Sequence, residues 1–93
     1  MLTQTVTVRN ALGLHARAAA RFVHAASGFA CRVSVTREDR GDRAVDGKSI
    51  LGLLLLAAAR GATVRITADG TDEAEALLSL CRLVESGFGE GPC

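Results

Sequence analysis

Apolar and polar side chains alternate strictly in three stretches of the chain. In residues 2 to 9, "LTQTVTVR", Val6 and Val8 face one way while Thr5, Thr7 and Arg9 face the other. In residues 29 to 37, "FACRVSVTR", Phe29, Cys31, Val33 and Val35 oppose Arg32, Ser34 and Thr36. In residues 62 to 69, "ATVRITAD", Ala62, Val64, Ile66 and Ala68 oppose Thr63, Arg65 and Thr67. A period of two sends successive side chains to opposite faces of a sheet. Each stretch therefore predicts a half-buried strand with a polar face left to water, as in an antiparallel sheet covered on one side. A fourth, weaker strand is expected in "RAVDG", residues 43 to 47, reached through the charged turn "EDRGD" around Gly41. Short and charged, it suits an edge.

Helical spacing fills the gaps between these strands. Residues 16 to 27 put Ala16, Ala19 or Ala20, Val23 and Ala26 on one stripe, with Gly28 placed to end the helix. Residues 72 to 86 put Leu77, Leu80, Cys81 and Val84 on one face, with Asp72 and Glu75 as a capping-box-like start and Gly87 as a stop. Ser49 to Ala59 is the third helix, with Ser49 as its N-cap and Arg60-Gly61 as its end. The order β-α-β-β-α-β-α predicts an α+β fold. Its expected form is a two-layer open-faced sandwich, a four-stranded antiparallel sheet with three helices on one face. No internal repeat or linker interrupts it, so residues 1 to 88 read as one domain and residues 89 to 93 as a flexible tail.

Composition narrows the function classes. Ninety-three residues allow one modest core, and 48% apolar with 23% charged residues marks a chain that folds. Eleven Lys and Arg against ten Asp and Glu leave a net charge of +1, and the only aromatics are three Phe. Nucleic-acid binding, which draws on a clustered basic excess and stacking rings, is disfavoured. Cys31, Cys81 and Cys93 are an odd count with no metal-ligand spacing, which reads as reduced cytosolic thiols, the last in a loose tail. No metal and no cofactor is expected. The first residues, "MLTQTVTVRN", alternate instead of forming a signal-peptide core. The longest apolar run, residues 50 to 59, is half of the about 20 residues that a membrane span requires. A cytoplasmic protein without membrane insertion is expected.

The segment "ALGLHARAAARF", residues 11 to 22, carries the chemistry. Gly13 permits a turn, Leu14 can anchor in the core, and the helix begins at about Ala16. His15 then lies beside the unpaired first-turn N–H groups of Ala16, Arg17 and Ala18, which with the helix dipole form an anion cradle. The same positive end favours neutral imidazole, whose unprotonated nitrogen is a nucleophile toward phosphorus. Arg17 adds a planar cationic fork for phosphoryl oxygens. A histidine near a helix start is also a common cap or surface residue, so the spacing alone leaves both readings open. His24 sits mid-helix without a neighbouring cation or unpaired N–H and reads as a flank residue.

Three segments, "NALGLHARAAARF", "GKSILGLLLLAAARGATV" and "ITADGTDEAEALLSL", together resemble the phosphocarrier proteins of the HPr family, from the bacterial phosphoenolpyruvate-dependent phosphotransferase system. The resemblance covers residues 3 to 88. It implies the element order given above and a phosphoryl relay instead of an independent catalyst. In that relay His15 is phosphorylated, on the ring nitrogen nearer the backbone, by enzyme I and passes the group to a IIA-type protein, with Arg17 neutralising its charge. Two departures stand out. Ala18 occupies the place where the family usually has proline, and the hairpin "TREDRGDRAVDGKS" is a few residues longer than usual.

The second helix is apolar all round, and a domain of this size has no room to bury every side of it. Leu51, Leu54 and Leu55 cannot all point inward together with Ile50, Leu53 and Leu56. Some of them, with Arg21 and Phe22 of the first helix, are expected to form a docking patch near His15. Ser49, at the start of that helix, is an N-cap on any reading. The resemblance makes it also a candidate for regulatory phosphorylation by an HPr kinase/phosphorylase. The alternative function is a regulatory docking module acting through Ser49 and the apolar helix; retention of His15 and Arg17 weighs against it. A small hydrolase finds no second catalytic group at recognisable spacing. The resemblance leaves open whether the relay serves sugar uptake or a regulatory, nitrogen-type branch, and the chain is expected to be a monomer.

Overall fold

Val33, Val35, Val64, Ile66 and Ala68 all turn to one side of an antiparallel sheet and are at most 4% exposed. The computed structural model describes residues 1–40 and 43–89. Its elements follow in the order β1 (Leu2–Thr7), α1 (Ala16–Ser27), β2 (Arg32–Arg37), β3 (Val45–Asp46), α2 (Ile50–Leu55), β4 (Thr63–Asp69) and α3 (Glu73–Glu85). The spatial order of the strands is β1-β4-β2-β3, every neighbouring pair antiparallel. The register puts Val6 opposite Val64, Val35 opposite Ile66 and Val33 opposite Ala68, so the apolar halves of three strands share one face. The three helices cover that face. The opposite face is polar: Thr3 and Thr67 share a hydrogen bond at 3.1 Å, and Arg65 Nε approaches Glu38 Oε2 at 3.4 Å. Fold class and element order are those expected, and no described helix is long and apolar enough to cross a membrane.

The buried stripe of α1 is rotated from the alanine stripe that its spacing predicts. Ala18, Ala19, Phe22 and Ala26 are buried, while Ala16 and Ala20 are exposed and Val23 is half-buried. Phe22 decides the rotation. It carries far more apolar area than any alanine, and at 2% exposure it sits in the core beside Leu14, Leu53 and Phe88. Phe22 is therefore not part of any docking surface.

Helix α2 is shorter than the run Ser49 to Ala59. It ends at Leu55, with Leu56 as C-cap, and Ala57 adopts a left-handed φ of 51°. The turn there brings Ala58 into the core at 2% exposure and presents its carbonyl to Leu14 N–H at 2.8 Å. A tertiary contact thus stops a helix that local propensity would extend.

Helix α3 starts at Asp72, but not through a capping box. The Asp72 carboxylate makes no cap hydrogen bond; it accepts the N–H groups of Ala30 at 2.8 Å and Cys31 at 2.9 Å. These bonds, led by the one from Ala30, hold its carboxyl below the usual carboxylate range. They also explain why β2 begins at Arg32 instead of Phe29, since two of the expected strand amides are already committed. Cys31 and Cys81 are buried, and burial pushes the Cys81 thiol up to about 11. The chain does not leave the domain loosely after α3. Phe88 is 1% exposed and Arg21 Nη1 donates to its carbonyl. The expected turn centre at Gly41, the tail from residue 90 and Cys93 lie outside the described residues.

Candidate functional site

His15 is the N-cap of α1, with an extended backbone at φ −84° and ψ −178°. Its ring Nδ1 accepts the N–H of Arg17 at 3.1 Å, and its own carbonyl accepts the first helical hydrogen bond, from Ala19, at 2.8 Å. An Nδ1 that accepts carries a lone pair and no proton, the form a nucleophile requires. It points at the first turn of α1, where the N–H groups of Ala16, Arg17 and Ala18 precede the intrahelical ladder. The ring is half-buried and Arg17 is exposed. Ala18 is 0% exposed, its methyl in the core, so α1 forms normally without a proline there.

The residues before His15 hold it in place. Asn10 is buried, and its Nδ2 donates to Gly13 carbonyl at 2.6 Å, while Gly13 N–H returns to Asn10 carbonyl at 3.1 Å. Gly13 has φ 68°, and a Cβ there would stand 2.5 Å from the Ala58 oxygen. Only glycine satisfies both the left-handed backbone and that approach. Leu14 is 8% exposed and packs with Val8, Phe22, Leu53 and Phe88. His15 is thus raised on a turn whose base is core on one side and the exit of α2 on the other.

Leu51 and Leu55 are 68% and 70% exposed and Ile50 is 42% exposed, whereas Leu53 and Leu56 are buried and Leu54 is half-buried. The expected apolar patch therefore reduces to Ile50, Leu51 and Leu55, with Leu54 at its margin. Arg21 is exposed but tethered to Phe88. Beside Arg17, an open depression runs between α1 and α3, floored by Ala20, Ala25 and Leu83 and rimmed by Arg17, Arg21 and His24. Sequence reasoning missed Leu12, which is 74% exposed on the His15 turn itself. The signal was present, since a leucine between Asn10 and Gly13 in a turn has little means of burial. Ser49 caps α2: its Oγ accepts Gly52 N–H at 3.0 Å. It is half-buried, and the backbone of Gly52 lies close enough that a Cβ there would meet Ser49 Oγ at 3.4 Å.

Residues 2–86 match the family described as "PTS HPr component phosphorylation site". The phosphocarrier protein HPr of Neisseria meningitidis serogroup A is 48% identical over 91 residues, covering 98% of this chain and 99% of that protein. The phosphocarrier protein NPr of Shewanella violacea is 37% identical over 89 residues, covering 96% and 94% respectively. A crystal structure of HPr from Thermoanaerobacter tengcongensis superposes with a TM-score of 0.90 at 40% identity, over 99% of this chain and 100% of that one. With the histidine, the arginine and the turn that carries them all present, the chain belongs to the HPr family of phosphocarrier proteins of the phosphotransferase system.

Proposed function

We propose that His15 Nδ1 is the atom that carries the phosphoryl group. Phospho-enzyme I is the donor and a IIA-type protein the acceptor, in the cytoplasm, with the carrier acting as a monomer. The observation that supports this reading is the aim of Nδ1 at the first-turn amides of α1. The Nδ1 lone pair attacks phosphorus, the donor's bond to phosphorus breaks, and the donor keeps that electron pair. As the N–P bond forms, the Arg17 N–H that had capped Nδ1 moves to a phosphoryl oxygen. The Ala16 and Ala18 amides and the helix dipole stabilise the same charge. Arg17, exposed and with no side-chain hydrogen bond or ion pair among the described residues, swings its guanidinium onto the oxygens. Transfer onward reverses these steps, which is why the cradle must hold the group without burying it.

Docking is carried by Leu12, Ile50, Leu51 and Leu55, with the basic rim of Arg17, Arg21 and His24 suited to acidic residues on the partner. Ser49 is proposed as a second, regulatory phosphorylation site for an HPr kinase/phosphorylase. Its Oγ is engaged in capping α2 and is flanked by the exposed Ile50 and Leu51, so a phosphate there alters the docking patch directly.

Incubation with phosphoenolpyruvate and enzyme I, followed by intact-mass measurement, tests the relay. One acid-labile phosphoryl group, absent in His15→Ala, is expected. No label, or a label that persists in His15→Ala, refutes it. For the serine, an ATP-dependent, acid-stable label lost in Ser49→Ala is the expected result, and a label kept in that variant contradicts it.

A further inference from the structure

Arg37, at the end of β2, reaches across to the exit of α2. Its Nη1 donates to the carbonyls of Leu56 at 3.4 Å and Ala57 at 3.0 Å. Its Nε and Nη2 donate to the two carboxylate oxygens of Asp39, at 3.1 Å and 2.8 Å. The side chain is 13% exposed, so this is a built contact and not a solvated surface charge. The carbonyls it engages are orphans of a helix end, and one belongs to the left-handed Ala57. The next carbonyl along, that of Ala58, is the one that accepts Leu14 N–H at 2.8 Å, and Gly13 packs directly against it. Gly13 and Leu14 immediately precede His15.

We propose that Arg37 is a positioning residue for phosphoryl transfer at His15: it ties the exit of α2 to β2 and thereby fixes the Ala58 carbonyl on which the His15 turn rests. The proposal rests on the reading of His15 as the phosphoryl acceptor. Arginine suits the task because one planar fork serves two carbonyls and a carboxylate together, a geometry that the point charge of lysine cannot reproduce. Asp39 in turn orients the fork, and the guanidinium holds the Asp39 carboxyl below its usual range. Arg37 touches no reacting atom. Its influence travels through the backbone of residues 56 to 58 to the turn of residues 10 to 14, and so to the direction in which Nδ1 points.

Three variants decide it. Arg37→Met keeps the apolar stem and removes every donor; Arg37→Lys keeps the charge; Asp39→Asn loosens the fork. Each is studied well below its own unfolding midpoint, by hydrogen exchange of the Leu14 amide, by the nitrogen-15 resonance of His15 Nδ1, and by the initial rate of phosphorylation by phospho-enzyme I. Arg37→Met is expected to exchange Leu14 about tenfold faster than wild type. It is also expected to shift the Nδ1 resonance and to be phosphorylated about tenfold more slowly. Arg37→Lys should recover part of each effect and Asp39→Asn should fall between. An unchanged Leu14 exchange rate and an unchanged Nδ1 resonance in folded variants overturn the proposal, whatever happens to thermal stability. If Arg37→Met does not fold, the other two variants decide by the same readings. If wild-type protein takes no phosphoryl group, the acceptor reading fails, and exchange and resonance still report whether Arg37 sets the ring.

Discussion

His15 owes its position to the residues before it more than to the helix after it. Asn10 closes the turn, Gly13 meets the Ala58 carbonyl, and Leu14 anchors the chain. Gly13→Ala forces a Cβ to 2.5 Å from that oxygen at a φ of 68°. The expected cost is about 1–3 kcal/mol of stability, read as a lower chemical-unfolding midpoint, together with slower phosphorylation. Arg17→Ala should leave the fold intact and slow phosphorylation about ten- to a hundredfold, with Arg17→Lys recovering only part, because a point charge replaces a fork. Steady-state transfer from enzyme I measures both. At this scale the sequence was informative where chemistry is local: spacing alone puts a histidine after Gly13-Leu14 beside the first-turn amides of a helix, while leaving its role open. It put Phe22 in the docking patch, whereas the residue is buried in the core, since which face of an alanine-rich helix turns inward depends on what the sheet and α3 offer it. It was silent on Arg37, whose partners Leu56 and Ala57 come from another element.

The elements were legible in kind and less so at their ends. Period-two alternation located all three longer strands, yet β2 starts three residues later than that pattern implies because Asp72 takes the amides of Ala30 and Cys31. Asp72 therefore joins the start of α3 to the start of β2, and its lowered carboxyl pKa makes that join dependent on pH. A depressed carboxyl pKa adds stability above the unfolded value, near pH 4, and that stability is lost as pH falls through the lower folded value. Asp72→Asn should lower the thermal midpoint at neutral pH, and its deficit relative to wild type should shrink as pH falls below about 4. A deficit that stays constant across thermal melts at pH 7 and about pH 3 contradicts this. The early end of α2 was not legible, because leucines and alanines continue through Ala59 and only the seat of Ala58 stops the helix. Ala57→Gly removes a left-handed strain of about 1–2 kcal/mol at a small cost in unfolded-chain entropy. A modest rise in the unfolding midpoint is expected.

Across the whole molecule, the core beneath the site draws on the segment that follows α3. The N-terminal strand pairs with β4, and after α3 the chain returns to bury Phe88 against Leu14 and Phe22. A glycine-rich ending reads as a loose tail in the sequence. Phe88, the last residue of the expected domain, is 1% exposed, a depth of burial that alternation and helical spacing had no means to reveal. Phe88→Ala should cost about 3–5 kcal/mol, measured by denaturant unfolding, and should raise the mobility of the Leu14 anchor. With sheet, helices and this last contact in place, the His15 turn stands on a packed base.

The ring nitrogen of His15 is the subject of the most direct measurement. Protein labelled with nitrogen-15 in its histidines, phosphorylated by enzyme I and phosphoenolpyruvate, reports by phosphorus–nitrogen coupling which ring atom carries the group. The predicted coupling is to Nδ1 of His15, with the Arg17 amide resonance displaced as its N–H moves to a phosphoryl oxygen. Coupling to Nε2 of His15, or to either nitrogen of His24, contradicts the account.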